Sequence, residues 1–358
     1  MDIALIVPAP FETISGGYNY DRQIVAGLEA LGHAVRVVEL AGRHPLPDGE
    51  AEDAARAALD ALPAGTRIII DGLGLPAFGP LADALEARGA MGFIHHPTAL
   101  ETGFAEEDRD RLRGLEQALL PRLARIIVPS ALTGRRLVED FGVQAARVAT
   151  VEPGTDEAPR ATGSGGPGCA ILSVGALVPR KGHDVLLRAL GRLTDLDWHL
   201  TIAGAARDPV HAHGLTALAT ELGIEARVTF AGECDPVRLE ALYAASDVFA
   251  LATHWEGYGM VAAEAMAHGL PLAITAGGAI AEVVAPGSAV IVPPGEHTAL
   301  SRAMRRVIFD RALRAEMAEA SWQGGQSLPR WSDRAAAIAA VLDAASSPGA
   351  DARLVPDR

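Results

Sequence analysis

The chain has 358 residues, which suits two domains of ordinary size, because a single core seldom grows past about 250–300 residues. A formal net charge of -14 makes the surface repel nucleic acid and anionic lipid, so neither nucleic-acid binding nor peripheral membrane association is expected. Hydrophobic residues make up 49% and aromatics only 4%, so the apolar mass is Ala, Val, Leu and Ile, the material of buried strands and packed helices.

The opening stretch, MDIALIVPAPF, has no basic segment before its short apolar run and reads as a first strand rather than a signal peptide. Aliphatic runs then alternate with helical patterns. In the first half they are Ile3–Val7, Val35–Leu40, Arg67–Ile70, Met91–Ile94, Ile126–Val128 and Val148–Val151. A helix from about Ala105 to Arg125 balances Arg109, Arg111, Arg113, Arg122 and Arg125 against Glu106, Glu107, Asp108, Asp110 and Glu116, so it is a solvated face. The stretch DEAPRATGSGGPG follows, rich in Pro, Gly and Ser and without an apolar anchor; it reads as a flexible linker. The second series of runs is Ile171–Val174, Leu200–Ala203, Val228–Ala231, Val248–Leu251, Leu272–Ile274 and Ala289–Val292. Among its helices, 184–193 sets Val185, Leu186, Ala189, Leu190 and Leu193 in one apolar stripe. No apolar run reaches the ~20 residues of a membrane span, so stable insertion is not expected. Cys169 and Cys234 lack metal-type spacing and suit a reducing, cytoplasmic setting.

This alternation predicts an α/β protein of two doubly wound, Rossmann-like domains with parallel sheets. The expected boundaries are an N-terminal domain over 1–156, a linker over 157–168 and a C-terminal domain over 169–328. A closing helix over 329–345 is expected to pack back towards the first domain, with a disordered tail over 346–358. Ligands of such sheets bind at the carboxyl ends of the strands.

The strongest chemical signal follows the run Val248–Leu251. It reads His254-Trp255-Glu256-Gly257-Tyr258-Gly259-Met260-Val261-Ala262-Ala263-Glu264-Ala265-Met266. Gly257 and Gly259 let the backbone approach a ligand, and a helix begins there whose first amides can receive an anion. Glu256 precedes that helix and Glu264 lies two turns inside it. Each can accept a pair of hydrogen bonds from vicinal hydroxyls, one set from a sugar and the other from a ribose.

This segment resembles the signature of family-4 retaining glycosyltransferases of the GT-B fold, in which two Rossmann-like domains face a cleft. Other stretches agree in order. Gly16-Gly17 is similar to the family's N-terminal glycine loop, Val174 to Gly182 to its phosphate loop, Leu200–Gly204 to its LxIAG strand and Gly232-Glu233 to its nucleobase turn; Pro153-Gly154-Thr155-Asp156 is similar to the element that closes the first domain. The resemblance covers roughly residues 3–345. It implies that Lys181 pairs with the donor diphosphate, that Glu264 binds the ribose, and that Glu256 and the amides of Gly257–Met260 hold the transferred sugar. It implies a nucleotide-diphosphate sugar as donor, UDP-sugar by default, with no metal and no cofactor. A lysine and helix-terminal amides neutralise the leaving phosphate in place of a cation. The family's arginine after the loop glycine Gly175 is replaced here by Ala176, and Arg180 is near enough in sequence to compensate.

His95 and His96 end the run Met91–Ile94, where family members carry a histidine facing the sugar. His95 fits better and is expected to hydrogen-bond to it rather than act as a base of tuned pKa. The retaining step implied is front-side attack, the leaving phosphate oxygen taking the acceptor's proton. Acceptor groups are sought in the first-domain loops 11–18, 71–78 and 97–104, with Tyr18, His96 and Phe104 as candidates. Tyr18, Phe78 and Phe104 hint at a neutral or partly apolar acceptor, whether a small molecule, a lipid or a glycan. Asp195-Leu196-Asp197 and Asp108-Arg109-Asp110 mimic DxD metal motifs but read as surface charge, and His211 and His213 as a solvated loop. The other readings of the same fold are a nucleotide-sugar 2-epimerase and a non-catalytic nucleotide-sugar-binding protein. A nicotinamide dehydrogenase is disfavoured, since Pro8-Ala9-Pro10 stands where a G-x-G-x-x-G turn would be needed.

Overall fold

Each of the twelve aliphatic runs is a β-strand in the computed structural model, which describes residues 1–101 and 103–344. Two units result: Met1–Gly154 together with residues 329–344, and Thr155–Leu328.

In the first domain the order is β1 (Asp2–Pro8), α1 (Gly16–Ala30), β2 (Ala34–Leu40), α2 (Gly49–Ala61), β3 (Arg67–Asp71) and α3 (Ala82–Ala87). Next come β4 (Met91–Phe93), α4 (Glu106–Leu119), β5 (Ile126–Val128), α5 (Ala131–Phe141) and β6 (Val148–Thr150). The sheet runs β2-β1-β3-β4-β5-β6, every pair parallel. β1, β4 and β5 are buried along nearly their whole length, as strands covered on both faces must be. Helix starts follow the sequence, for Ser15, Asp48 and Ser130 each accept a first-turn amide of α1, α2 and α5.

In the second domain the order is β7 (Cys169–Val174), α6 (His183–Leu190), β8 (Trp198–Ala203), α7 (Pro209–Glu221), β9 (Val228–Gly232) and α8 (Pro236–Ala244). It continues with β10 (Val248–Leu251), α9 (Met260–Ala267), β11 (Leu272–Thr275), α10 (Ile280–Val283) and β12 (Ala289–Val292), then α11 (His297–Phe309) and α12 (Arg311–Gln326). The sheet order is β12-β11-β10-β7-β8-β9, again all parallel. Apolar clusters cover both faces. Leu186, Leu190, Leu200 and Met304 belong to one, Phe249, Leu251, Met266 and Ile274 to the other.

The last described helix, α13 (Trp331–Ala344), belongs to the first domain. It packs on α1 so closely that a Cβ at Gly27 would stand 2.4 Å from Ala335 Cβ. Trp331 meets the ring of Tyr20 at 5.5 Å, and Ile338 and Leu342 are buried. The tail over 346–358 lies outside the described residues.

Two expectations are corrected. The segment over 157–168 has no helix or strand, yet it is no free strap. Ala161 N donates to His268 O, Thr162 N to Ala244 O, and Ser164 Oγ to Asp247 Oδ2, which ties it along the second domain. Hydrogen bonds from its backbone and from the Ser164 side chain hold it, and Ala161 packs against an apolar cluster of that domain. His211 and His213 are not in a loop but in the first turns of α7, which Asp208 caps.

Candidate active site

In the second sheet the chain runs from β7 outward to β8 and β9, and β10 returns to the other side of β7. The loops after β7 and β10 therefore flank the point where strand order reverses, the place where open α/β sheets receive ligands. Lys181 lies on the first loop and Glu256 on the second. Gly182 makes their meeting possible: with φ at 64°, it sits where a Cβ would come within 2.0 Å of the Ala252 carbonyl oxygen at the end of β10. The loops are also stitched, His254 N donating to the Arg180 carbonyl at 2.8 Å.

Lys181 Nζ donates to Glu256 Oε1 at 2.7 Å, and Thr253 Oγ1 donates to the same oxygen at 3.0 Å. Arg180 Nη1 donates to the Trp255 carbonyl at 2.6 Å and stands 3.6 Å from Glu256 Oε2. The Lys181 and Glu256 side chains are only 12% and 10% exposed. Burial pushes the Glu256 carboxyl up, but Lys181 and Arg180 outweigh it and hold the group below the usual glutamate range. Two cations face one carboxylate, which leaves a positive spot inside a chain of charge -14. Gly175 leaves room for the lysine stem, since a Cβ there would be 3.1 Å from Lys181 Cδ. His183, just behind Lys181, is fully buried, and its pKa is pushed down to about 3 by burial and by Lys181, so it is neutral.

Helix α9 starts at Met260 behind Gly259, whose φ of 108° and 2.8 Å approach to Ile280 Cγ1 admit no side chain. Ala262 N donates to the Gly259 carbonyl at 2.9 Å, and the amides ahead of it, at the very start of the helix, are groups of the kind that receive an anion. Glu264 lies one turn inside rather than two, because the glycine pair is left outside the helix. Its Oε2 accepts from the Tyr243 hydroxyl at 2.9 Å. Burial raises the Glu264 carboxyl, the Tyr243 bond and Lys181 oppose this, and Asp156 adds to it. Gly257 and Tyr258 belong to the same turn, with Tyr258 buried. Gly232, at the end of β9, has φ at 70° and accepts from Gly204 N at 2.8 Å; Glu233 beside it is exposed.

The sequence reading missed what supports Glu256 from behind. Glu256 N donates to Gly277 O, and Ala279 N donates to Glu256 O. A Cβ on Gly278 would lie 2.2 Å from the Glu256 carbonyl oxygen. A Gly-Gly pair at the end of a strand run was the available signal.

In the first domain the strand order reverses between β1 and β3. Gly16 and Gly17 open α1, after β1, and His95 follows β4. A Cβ on Gly16 would meet open space, whereas one on Gly17 would stand 3.1 Å from His95 Cδ2. The two glycines are therefore unequal. His95 Nε2 is 2.8 Å from Asp21 Oδ1 and 3.6 Å from Asp71 Oδ2. The three groups offer ligand atoms within 4.8 Å of one another, close enough to share a proton or a cation. His95 thus sits between two buried carboxylates, surroundings that the sequence did not reveal. His96 turns elsewhere, its Nε2 3.8 Å from Glu101 Oε2.

The aromatic acceptor candidates build the domain instead. Tyr18 is buried and donates its hydroxyl to the Pro8 carbonyl at 2.8 Å, Phe78 is wholly inside the core, and Phe104 packs against it. The hint of an apolar acceptor loses its basis. Asp195 pairs with Arg305 through two 2.7 Å bonds at the surface, as its surface reading requires.

The fold is GT-B. A sucrose-phosphate synthase from Thermosynechococcus elongatus superposes with a TM-score of 0.81 at 20% identity, over 97% of this chain and 100% of that one. Anabaena HepE, solved with UDP-glucose, gives 0.76 at 18% identity over 96% of this chain and 100% of that one. At such identities the likeness concerns the fold.

Residues 155–323, nearly all of the second domain, match the family described as glycosyl transferases group 1. Among curated proteins, a D-inositol 3-phosphate glycosyltransferase of Thermomonospora curvata is 32% identical over 244 residues, 61% of this chain and 56% of that protein. Its counterpart in Nocardia farcinica is 33% identical over 217 residues, 56% of this chain and 48% of that protein. The chain thus spans about half the length of these relatives.

Proposed function

We propose that the protein is a retaining glycosyltransferase that moves a hexose-type sugar from a nucleotide-diphosphate sugar, a UDP-sugar by preference, to a small-molecule, lipid or glycan acceptor. One observation carries the reading: Lys181, Arg180, Glu256 and the amino end of α9 converge beside Glu264 at the strand-order reversal of the domain matched to group 1 glycosyl transferases. As the glycosidic bond breaks, negative charge grows on the β-phosphate of the leaving nucleotide. Lys181 and the α9 amides are preorganised to meet that charge, and groups of this kind supply the largest single share of many rate enhancements. They do so without a metal or cofactor. Glu256 would pass its lysine to the diphosphate and hold sugar hydroxyls, while Glu264 takes the ribose. Arg180, engaged with the Trp255 carbonyl, orders the loop and adds positive charge in place of an arginine at Ala176. The leaving phosphate oxygen accepts the acceptor's proton on the face from which it departs, which retains configuration. HepE was solved with UDP-glucose, which favours UDP here too. The free thiols of Cys169 and Cys234 fit work in the cytoplasm.

The test is calorimetry with UDP, GDP and ADP, followed by turnover of their sugars. UDP binding that Lys181→Ala weakens by about 1.5–3 kcal/mol, the worth of a hydrogen bond to a charged group, is expected. Failure to bind any of the three nucleotides refutes the reading.

A further inference from the structure

The surroundings of His95 hold more charge than a hydrogen bond to a sugar requires. Asp21 comes from α1 and Asp71 from the end of β3, and both side chains are buried. Asp71 Oδ1 is occupied by the amide of Leu73 at 2.9 Å, and its Oδ2 faces His95. Asp21 Oδ1 takes His95 Nε2, while Asp21 Oδ2 is buried with no partner. The ring packs against Phe93 and Tyr20, with centroids at 4.6 and 5.5 Å, and rests on Gly17. Among the described residues, the charged neighbours that act on it are Asp21 and Asp71, and His96 is turned to Glu101.

The tautomer logic is simple. A single carboxylate fixes Nε2–H and leaves Nδ1 as a lone-pair acceptor, the arrangement of a base. Two buried carboxylates carry a charge that the interior does not tolerate without a compensating cation. Nδ1 is the nearest place for the proton that supplies it.

We propose that Asp21 and Asp71 are positioning residues for His95, holding its ring by Nε2 and keeping Nδ1 protonated, so that the imidazole meets a ligand oxygen as a cationic donor and not as a base. What that ligand is rests on the transferase reading; the protonation does not. Burial disfavours the imidazolium, but Asp21 and Asp71 together outweigh it and raise the His95 pKa above the ordinary value. Burial and Asp21 push Asp71 up to about 7. Below that pH Asp71 is neutral and Asp21 alone balances His95. Above it Asp71 ionises and adds its hold on the imidazolium.

The full chain with ¹⁵N-labelled histidine tests this by NMR titration, with His95→Gln identifying the signal. The expected result is an imidazolium at pH 7.5, above the value near 6.5 at which an ordinary histidine loses its proton. Asp21→Asn should turn that signal neutral at pH 7.5 and lower kcat roughly tenfold or more, with KM for the donor little changed, as for a misoriented catalytic group. Asp71→Asn should move the titration the same way by less. A neutral His95 in the wild type overturns the proposal without needing any variant to fold. So does stoichiometric binding of Mn²⁺ or Zn²⁺ that Asp21→Asn abolishes, since a metal would then balance the carboxylates. Absence of nucleotide binding would remove the transferase reading and leave the titration interpretable.

Discussion

Removal of one member of the Lys181–Glu256 pair should cost less than is usual for a buried ion pair. Breaking such a pair typically costs about 3–5 kcal/mol, because a charge is left buried and alone. Here Glu256 keeps the Thr253 hydroxyl at 3.0 Å and Arg180 at 3.6 Å when Lys181 is gone. Lys181→Ala should therefore lose about 2 kcal/mol, close to the worth of one charge-assisted hydrogen bond. Glu256→Gln keeps the shape but leaves two cations facing each other without a carboxylate, a loss of similar size. The double variant should recover about 1–2 kcal/mol relative to the sum, the coupling expected of residues in direct contact. Urea unfolding of the full chain at pH 7 reads this in the transition reported by Trp198, Trp255 and Trp322 of the second domain. The pH dependence has a definite sign. Because the folded carboxyl is held below 4.5, its contribution is full above 4.5 and fades as the pH falls below that value. Additivity of the two single variants within about 0.5 kcal/mol, or an unchanged midpoint for Lys181→Ala, would refute the idea that these charges are coupled.

Three further outcomes are expected. Glu264→Gln should weaken UDP and the UDP-sugar alike, while Glu256→Gln lowers kcat without weakening free UDP; steady-state kinetics with calorimetry separates the two, and identical behaviour would dissolve the assignment of ribose and sugar. Turnover should persist in EDTA, and its abolition with recovery on Mn²⁺ would show that a cation does what is assigned to Lys181. Thermal unfolding should find Gly16→Ala within about 0.5 kcal/mol of the wild type, as for a substitution that meets open space. Gly182→Ala should fail to fold natively, because its Cβ has no room beside Ala252. A stable Gly182→Ala protein would show that the loop after β7 can move away from β10.

The strands were legible because each is an aliphatic run bounded by Gly, Pro or polar residues, and a buried parallel strand has no other signature. Glu256 and Glu264 were legible for the same reason of locality: one turn and one helix hold both. The partners that set their chemistry were not. Asp21 and His95 are 74 positions apart and meet only because β1, β3 and β4 are neighbours in the sheet. Tyr243 reaches Glu264 from the helix before β10. The aromatic residues of the first-domain loops went the other way. Composition marks a loop but not its inner face, and Phe78 sits in a tight turn over 75–81 that points it into the core. The segment over 157–168 has the composition of a linker, while the bonds that pin it come from Ala244, Asp247 and His268, far along the chain.

Helix α13 carries a consequence for how the protein is made. The second domain is one uninterrupted stretch, complete once Leu328 has been synthesised. The first domain begins earlier but ends later, because Ile24 and Leu28 of α1 line the same small apolar cavity as Ile338 of α13. As the chain leaves the ribosome, the domain that starts first must wait with its α1 flank uncovered while the whole of the other is translated. At about 5–20 residues per second, the roughly 180 residues from Thr155 to Ile338 take some ten to forty seconds to emerge. For that interval the nascent N-terminal domain leaves the apolar flank of α1 uncovered, a stripe of the kind chaperones bind, and translation pauses ahead of Ile338 would lengthen it.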